Sequence, residues 1–357
     1  MKKVRVNLGE KGYDILIASG LLEQPGKYLK ESGFSRKLVI ITNPTVQELY
    51  GNSLIKRLSA DGFQVVTLIV ADGEGEKSLD VASRLYTELS DCHIERTTPI
   101  LALGGGVIGD LAGFVAATYK RGVPLVQIPT TLLAQVDSSI GGKVAVNHGK
   151  LKNEIGAFHQ PTLVLSDISV LKTLPAEEFA NGMAEVIKSA FIKDGQFFTF
   201  IESNLTKIKA LDNAILEEIV FRSASIKTNI VIQDELDTGL RNILNYGHTT
   251  GHAIETISDF NVKHGHAVAI GMMTAAAIAM KLDFFDNGEL IRLKSILESV
   301  GLPIQIPSLD TGKIIQAIKH DKKISGGKVR FILPRTIGEV FTTDEVDLSF
   351  VEEVLRS

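Results

Sequence analysis

The stretch Pro99-Ile100-Leu101-Ala102-Leu103-Gly104-Gly105-Gly106-Val107-Ile108-Gly109-Asp110 contains the strongest indication of the fold. Its apolar half predicts a buried strand, and the glycines predict a turn into a helix. The G-x-G-x-x-G pattern lets backbone N–H groups at a helix N-terminus approach a phosphate. However, this strand is the third predicted one, and no acidic residue follows about 20 positions later, as a dinucleotide fingerprint requires. A glycine-rich turn that only packs the sheet is therefore the alternative.

Apolar runs flank this stretch on both sides. Residues 37–42, 65–70, 125–128 and 162–165 each predict a short strand, and helical patterns separate most of them. Continuous apolar strands alternating with helices are typical of a parallel sheet that is covered on both faces. We therefore expect a Rossmann-like, nucleotide-binding α/β domain over residues 1–174.

The remaining chain has the pattern of long helices. Pro175 can open the first of them, with Glu177 and Glu178 in its first turn. A late hairpin is expected where residues 329–334 are followed by Gly338. These patterns predict a mainly α-helical metal- and substrate-binding domain over residues 175–357. The predicted helices cover residues 175–193, 207–232, 242–258, 265–283 and 287–300.

The composition limits the classes of function. The chain has 357 residues, of which 44% are hydrophobic and 22% charged, as expected for a globular protein of two domains. A formal net charge of -4 argues against a general nucleic-acid or membrane-surface binder. Cys92 is the single cysteine, and the sequence shows neither a signal peptide nor a membrane span. These features favour a cytoplasmic protein.

Four of the eight histidines lie close together, at positions 248, 252, 264 and 266. On a helix, His248 and His252 would share one face, because they are four residues apart. A catalytic zinc usually takes three protein ligands, so a carboxylate would be needed as well. Glu185 is a candidate, although an ion pair with Lys188 on a solvated helix face explains it equally well. Surface or hydrogen-bonded core histidines are the alternative for the cluster.

Two polar, glycine-containing clusters predict phosphate or hydroxyl recognition. They are residues 137–143, which end in Lys143, and residues 152–156. Each could also be a surface loop. Further cations that suit a small, strongly anionic substrate are Arg121, Lys188, Lys227, Arg241, Lys322 and Lys323.

Many blocks of the sequence occur together in one known family. The chain resembles the 3-dehydroquinate synthases over nearly its whole length, and the blocks come in the same order. They are residues 104–110, 129–134, 137–143, 155–161, 173–175, 182–188, 244–255 and 321–323.

The resemblance implies two cofactors. A divalent metal, zinc or cobalt, would bind Glu185, His248 and His264. NAD would bind in the N-terminal domain. The implied NAD contacts are Asp72, Gly73, Glu74, Gly75, Glu76, Lys77, Gly106, Val107, Ile108, Gly109, Asp110, Thr130, Thr131, Lys143, Lys152, Val170, Leu171, Lys172 and Thr173.

The resemblance also implies a reaction and a homodimer. The sugar phosphate 3-deoxy-D-arabino-heptulosonate 7-phosphate would lose phosphate and close to 3-dehydroquinate, with NAD reduced and reoxidised within one turnover. His252 would transfer protons, and Lys188, Lys143 and Asp137 would be the other catalytic residues. The implied substrate contacts are Arg121, Asn153, Lys227, Arg241, Asn245 and Lys323.

One position departs from the family pattern. The family usually has Glu two residues after the ligand equivalent to His264, whereas this chain has His266. A neighbouring imidazole can alter the surroundings of a metal. The alternatives are therefore a related sugar-phosphate cyclase and a metal-dependent polyol or glycerol-phosphate dehydrogenase. A non-catalytic nucleotide-binding protein is a third hypothesis.

Overall fold

The computed structural model describes residues 1–34, 36–149, 151–259, 261–306, 309–322 and 329–356. The chain divides into two compact units. The first consists of Met1–Leu174 together with Leu216–Ile232, and the second of Pro175–Ile215 together with Gln233–Ser357.

The first unit contains a seven-stranded sheet whose strands lie in the order β1 (Lys2–Val6), β2 (Tyr13–Ala18), β9 (Leu163–Asp167), β6 (Leu125–Pro129), β5 (Ile100–Gly104), β3 (Lys37–Thr42) and β4 (Gln64–Ile69). Only β1 runs antiparallel to its neighbour. The chain turns from β4 back across β3 to β5, so the order reverses between β3 and β5. Open α/β sheets bind ligands at the carboxyl ends of strands at such a point. The elements are β1 (Lys2–Val6), β2 (Tyr13–Ala18), α1 (Pro25–Glu31), β3 (Lys37–Thr42), α2 (Pro44–Val46), α3 (Asn52–Ala60), β4 (Gln64–Ile69), α4 (Leu79–Asp91), β5 (Ile100–Gly104), α5 (Gly106–Thr118), β6 (Leu125–Pro129), β7 (Lys143–His148), β8 (Leu151–Phe158) and β9 (Leu163–Asp167).

The predicted parallel sheet is confirmed. Strands β5, β6 and β9 are buried along their whole length, which explains their continuous apolar sequences. The structure adds four strands that the sequence did not indicate: β1, β2 and the antiparallel hairpin of β7 with β8. Residues 143 and 152–156, which were candidates for surface loops, therefore lie on strands of this hairpin.

The second unit is mainly helical, as predicted. In the part of this unit that the structure describes, one hairpin pairs β10 (Phe331–Thr336) with β11 (Glu339–Thr343). The elements are α6 (Ala176–Lys193), α7 (Gly195–Ser203), α8 (Leu205–Lys209), α10 (His248–Ile257), α11 (His264–Lys281), α12 (Asn287–Ser299), α13 (Thr311–Lys322), β10 (Phe331–Thr336), β11 (Glu339–Thr343) and α14 (Leu348–Arg356). Within the described residues, no helix is long and apolar enough to cross a membrane.

One helix differs from the expected division at residue 174. Helix α9 (Asn213–Gln233) belongs for most of its length, Leu216–Ile232, to the first unit. Its buried side chains include Leu216, Ile219 and Val220. Glu218 forms an ion pair with Lys2 on β1, and Lys227 binds Asp137. Helical periodicity predicts the helix but does not reveal which core its apolar face joins.

Candidate active site

Three helices of the second unit bring together a carboxylate and two imidazoles. Glu185 lies in the middle of α6, whereas His248 and His264 are the first residues of α10 and α11. One potential ligand atom from each residue lies within 4.8 Å of the others. The three predicted metal ligands thus lie on three separate helices, and the fold brings their side chains close together.

The ring nitrogens have distinct partners. The Nε2 atoms of His248 and His264 lie 3.8 and 3.5 Å from Glu185 Oε1. On the opposite side of each ring, His248 Nδ1 lies 3.2 Å from the carbonyl oxygen of Tyr246, and His264 Nδ1 lies 3.2 Å from Glu255 Oε2. If both Nδ1 atoms carry the proton, both Nε2 lone pairs face Glu185, which is the arrangement that a metal requires.

The carboxylate of Glu185 divides its two oxygens between different roles. Oε2 forms an ion pair with Lys188, and Oε1 is buried without a hydrogen-bond partner among the described residues. The ion pair with Lys188 does form, but not on a solvated face, since the two side chains are only 2% and 3% exposed. A buried carboxylate oxygen that lacks a hydrogen bond and faces two imidazole nitrogens is a favourable position for a cation. This donor set fits a zinc site with three protein ligands.

The titration behaviour of these residues reflects the concentrated charge. Burial alone would raise the pKa of Glu185, but Lys188 and His264 outweigh burial and lower that pKa to about 2. Burial opposes protonation of His264, yet Glu185 and Glu255 raise its pKa to about 10. Burial, together with the charge of Lys188, holds the pKa of His248 well below its usual range. The surroundings of His264 thus favour positive charge, whether a proton or a metal supplies it.

The first turn of α11 is fixed to α6 by a close backbone contact. The N–H of Gly265 donates to Asn181 Oδ1 at 2.6 Å. A Cβ on Gly265 would lie 2.1 Å from the carbonyl oxygen of Asn181, so only glycine fits. Because Asn181 precedes Glu185 by about one helical turn, this contact sets the position of His264 relative to Glu185.

The other two histidines of the cluster are separated by the fold. The ring of His252 is exposed, and its centroid lies 5.1 Å from that of His248. His266 has a buried Nε2 without a hydrogen-bond partner among the described residues. Burial lowers the pKa of His266, with Lys263 acting in the same direction and Glu177 opposing it. His252 is thus accessible beside the candidate metal ligands.

Arg241 lies in a short 3-10 segment, Leu240–Asn245, which Asp234 anchors. The carboxylate of Asp234 accepts backbone N–H groups of Thr238, Gly239 and Arg241 at 2.9, 2.8 and 2.9 Å. These hydrogen bonds lower the pKa of Asp234 to about 2. The guanidinium of Arg241 is buried and donates to the carbonyl oxygen of Glu235 at 2.9 Å. Asn245, the other predicted substrate contact here, is exposed.

In the first unit, the glycine-rich stretch forms the turn between β5 and α5. Gly105 is the N-cap of α5, and no side chain among the described residues caps this helix. A Cβ on Gly104 would lie 2.6 Å from Cβ of Ile108, so the tight turn requires glycine there. The predicted nucleotide contacts Gly106 to Asp110 therefore form the N-terminal turn of a buried helix at the carboxyl end of β5.

Three of the predicted contacts meet beside this turn. Lys77 Nζ lies 2.5 Å from Asp110 Oδ2 and also donates to Asn153 Oδ1. Burial raises the pKa of Asp110, and Lys77 opposes that rise. Asn153 has a φ of +59°, in the left-handed region. The structure thus joins the loop after β4, the start of α5 and the hairpin strand β8.

A second cluster in this unit joins Lys227 and Asp137. Lys227 Nζ, on α9, lies 2.5 Å from Asp137 Oδ1 and 2.7 Å from the Asp137 carbonyl oxygen. Lys143 is exposed at the start of β7, and Lys152 is partly buried on β8. Arg121 is exposed in the turn after α5 and has a φ of +64°.

The remaining predicted NAD contacts lie in loops and turns of the same unit. Asp72 accepts a hydrogen bond from Thr45, and Glu74 accepts one from Asn147. Thr173 contacts the hydroxyl of Tyr50. The loop that contains Asp72 also contains Gly73, Gly75 and Glu76. The two residues after β6 are Thr130 and Thr131. The 3-10 segment that ends at Thr173 contains Val170, Leu171 and Lys172. Lys323, a predicted substrate contact, lies outside the described residues.

Sequence reasoning did not assign roles to Glu255 and Asp234. Glu255 follows His248 by seven residues on α10, so helical spacing places it on the same face. That spacing could have identified Glu255. Asp234 gives no comparable signal, because its partners are backbone N–H groups of a segment without helical or strand periodicity.

Two family models match the chain. The model described as 3-dehydroquinate synthase N-terminal matches residues 67–181, and the model described as 3-dehydroquinate synthase C-terminal matches residues 182–324. A curated relative from Dehalococcoides mccartyi, named 3-dehydroquinate synthase, is 51% identical over 100% of this chain and 99% of its own length.

Two solved structures have the same fold along their length. A 2-epi-5-epi-valiolone synthase from Streptomyces hygroscopicus subsp. jinggangensis, with NAD+ and Zn2+ bound, has a TM-score of 0.90 at 27% identity and covers 96% of both chains. A 2-deoxy-scyllo-inosose synthase complexed with carbaglucose-6-phosphate, NAD+ and Co2+ has a TM-score of 0.89 at 26% identity and covers 99% of both.

Proposed function

The chain belongs to the 3-dehydroquinate synthase family, and from this premise we propose that it converts 3-deoxy-D-arabino-heptulosonate 7-phosphate into 3-dehydroquinate and phosphate. It is then a carbon–oxygen lyase of the shikimate pathway, which leads to chorismate and the aromatic amino acids. The observation that carries this proposal is the convergence of Glu185, His248 and His264, with Glu185 Oε1 buried, facing both rings and without a hydrogen bond among the described residues.

The cofactors are a divalent metal and NAD. Glu185, His248 and His264 would hold the metal, which would supply a Lewis acid for a substrate hydroxyl, and the start of α5 would hold NAD, which would supply the hydride chemistry. The first unit is then the NAD-binding domain, and the second is the metal- and substrate-binding domain. The NAD+ with Zn2+ or Co2+ in the two solved cyclases supports this choice.

Residues of the chain hold the substrate and transfer its protons. The exposed imidazole of His252, beside His248, accepts and donates protons, which imidazole does near neutral pH. Lys188, Lys143 and Asp137 are the further catalytic residues that we propose. Positioning of the anionic groups of the substrate accounts for much of the rate. The proposed substrate contacts are Arg121, Asn153, Lys227, Arg241, Asn245 and Lys323.

The decisive assay measures phosphate release from 3-deoxy-D-arabino-heptulosonate 7-phosphate with trace NAD, with and without a chelator. We expect many turnovers per NAD without net NADH, and loss of turnover with the chelator. Turnover that resists the chelator would contradict the metal assignment. Stoichiometric accumulation of NADH would instead indicate a polyol or glycerol-phosphate dehydrogenase.

Two histidine variants separate metal binding from proton transfer. His248→Ala should lose bound metal and activity together, because it removes a ligand. His252→Ala should keep the metal and lose rate by roughly 100-fold or more, the usual contribution of a general acid–base. Metal analysis and phosphate release on the same samples provide both readouts. An unchanged metal content in His248→Ala would remove that residue from the ligand set.

A related sugar-phosphate cyclase is the second candidate function. Two observations favour it: His266 stands where the family usually has Glu, and the two solved cyclases match the whole fold. The two candidates differ in the carboxylate of the substrate, which Arg241 would bind. Phosphate release faster from a sugar phosphate without a carboxylate than from the heptulosonate would select this second function.

We also propose that the chain acts in the cytoplasm as a homodimer, on small molecules and not on nucleic acid. A single cysteine supports the location, and the net charge of -4 supports the choice of ligand. Light scattering after size exclusion should give twice the mass of the chain, and a mass of 38.7 kDa would contradict the dimer.

A further inference from the structure

We propose that Glu255 is a positioning residue of the metal centre, which holds the ring of His264 so that Nε2 faces the metal. This inference rests on the proposed ligand set of Glu185, His248 and His264. It assigns a role to a buried carboxylate that belongs neither to the ligands nor to the substrate contacts.

The geometry of His264 provides the first argument. Glu255 Oε2 lies 3.2 Å from Nδ1 of His264, while Nε2 of the same ring lies 3.5 Å from Glu185 Oε1. A neutral imidazole carries its proton on one nitrogen, and a carboxylate can only accept. A metal that binds Nε2 displaces the proton from that nitrogen, so the remaining proton lies on Nδ1, where Glu255 accepts it.

A comparison with His248 provides the second argument. Its Nδ1 lies at the same distance, 3.2 Å, from an acceptor, but that acceptor is the neutral carbonyl of Tyr246. Both ligand histidines thus present Nε2 to Glu185, although only His264 does so through a charged group. A carboxylate that accepts from a ligand imidazole orients the ring more strongly and makes the nitrogen more basic.

The burial of Glu255 provides the third argument. It is 5% exposed, which is unusual for a carboxylate unless it is paired or near a cation. Glu185 and Glu255 supply two negative charges beside His264, and Lys188 supplies one positive charge. A carboxylate in contact with the ring of a metal ligand favours positive charge at that ligand, so removal of the Glu255 charge should weaken metal binding.

The alternative is that Glu255 is itself a ligand. His252, Glu255 and His264 also offer ligand atoms within 4.8 Å of one another. Such a site would share the ring of His264 with the first one and would bind a second metal ion. The number of metal ions per chain therefore distinguishes a positioning residue from a ligand.

The experiment compares Glu255→Gln and Glu255→Ala with the wild-type chain. Glutamine keeps an acceptor of the same length but removes the charge, whereas alanine removes both. Glu202→Gln is the matched control, because it takes a carboxylate from an ion pair with Arg292 in the same unit. Circular dichroism verifies folding, chelator competition gives the zinc affinity, and the visible spectrum of the Co2+ form reports ligand geometry.

We expect one metal ion per chain throughout, with zinc affinity lower by roughly 10- to 100-fold in Glu255→Gln and lower still in Glu255→Ala. The Co2+ spectrum should change in both variants and stay constant in Glu202→Gln. Zinc affinity of Glu255→Gln within twofold of the wild type would overturn the proposal. Two metal ions in the wild type and one in Glu255→Gln would make Glu255 a ligand.

The metal measurements do not depend on turnover. If the wild type binds one zinc but releases no phosphate from any sugar phosphate, the proposed function fails and the role of Glu255 stands. If the wild type binds no divalent metal, the role of Glu255 fails with the ligand set.

Discussion

Arg121 and Asn153 are two proposed substrate contacts with left-handed backbones, at φ values of +64° and +59°. Asn tolerates this region because its short polar side chain bonds locally, whereas Arg does not. Strained residues of this kind persist where the surrounding structure holds them, often at functional sites. We therefore expect the left-handed backbone at Arg121 to lower the free energy of unfolding and to place the guanidinium for substrate binding.

Arg121→Asn tests both effects, on stability and on activity. We expect the free energy of unfolding to stay level or rise by up to about 1 kcal/mol, because Asn suits the left-handed region. The kcat/KM for phosphate release should fall by roughly 100-fold, since a cation that we propose to bind the substrate is lost. Denaturant titration and initial rates measure the two effects.

Lys120→Asn is the control, because Lys120 is also left-handed, at φ +49°, but has no proposed role in the site. It should show the same stability change and normal rates. Equal losses of activity in the two variants would mean that the turn, and not the guanidinium, matters.

Whether the role of a residue can be predicted depends on what surrounds it. The spacing of His248 and His252 suggests a shared face, whereas that of Glu185 and Lys188 leaves a metal ligand and a surface ion pair equally open. The ion pair is present, yet its burial makes Glu185 a candidate ligand. Burial depends on the packing of helices distant in sequence, which local spacing does not encode.

At the scale of elements, the backbone contact between α6 and α11 fixes the helix that carries Glu185 against the helix that carries His264. Gly265→Ala would place a methyl carbon 2.1 Å from the Asn181 carbonyl oxygen, so one helix must shift. We expect a loss of about 1–3 kcal/mol in the free energy of unfolding, together with weaker zinc binding. Denaturant titration and chelator competition provide the measurements.

Gly312→Ala, at the start of α13, is the matched control. Among the described residues, its methyl would meet Asp310 Oδ1 alone, at 3.1 Å, and a small rotation of that side chain relieves the contact. It should keep zinc affinity and lose no stability, because Ala favours a helix over Gly. Normal zinc affinity in Gly265→Ala would show that the contact between α6 and α11 does not set the geometry of the proposed ligands.

The segment Leu240–Asn245 provides a second prediction at this scale. Asp234→Asn leaves a single acceptor oxygen where two carboxylate oxygens bind three N–H groups, so the segment that contains Arg241 should loosen. We expect KM to rise by roughly tenfold with kcat little changed, as for a residue that positions bound substrate. Steady-state kinetics provide the measurement.

The pH dependence has a defined sign. The folded-state pKa of Asp234 is about 2, below its ordinary 3.8. The stabilising hydrogen bonds are therefore fully present above pH 3.8 and are lost as the pH falls towards 2.

Asp212→Asn, which removes a carboxylate from the backbone N–H groups of Ala214 and Ile215, is the control for the KM of Asp234→Asn and should leave KM unchanged. An unchanged KM in Asp234→Asn would contradict the positioning role.

Strands differ in how well sequence predicts them, and the reason is burial. Strands β5, β6 and β9 are buried on both faces, so their sequences are continuously apolar. Strand β8 contains only exposed and partly buried residues and carries Lys152, Asn153 and Glu154, so its sequence resembles that of a loop. Strand β8 forms through backbone hydrogen bonds to β7, and the residue types in β8 do not predict this pairing.

For the whole molecule, the two cofactors should protect different parts of the chain. Hydrogen exchange followed by mass spectrometry should show zinc slowing exchange in the first turns of α10 and α11, and NAD slowing exchange in the first turn of α5. Ligands that bind only the folded state raise the free energy of opening, by about 2.7 kcal/mol at 100 times the Kd.

His248→Ala is the control for this experiment. It should abolish the protection by zinc and keep that by NAD, because it removes a proposed metal ligand, which lies in the second unit. Protection by zinc confined to the first turn of α5 would contradict the metal assignment.

The discontinuous first unit has a consequence for biosynthesis. Its sheet is complete when translation reaches Leu174, but the helical segment Leu216–Ile232 that packs with it emerges from the ribosome only after Pro175–Ile215, which belong to the other unit. Until then, Lys2 and Asp137 lack their partners Glu218 and Lys227, and the surface that this helix will cover stays open to solvent. Vectorial synthesis therefore leaves a temporarily incomplete nascent domain, which is the kind of chain that chaperones recognise by its exposed apolar surface.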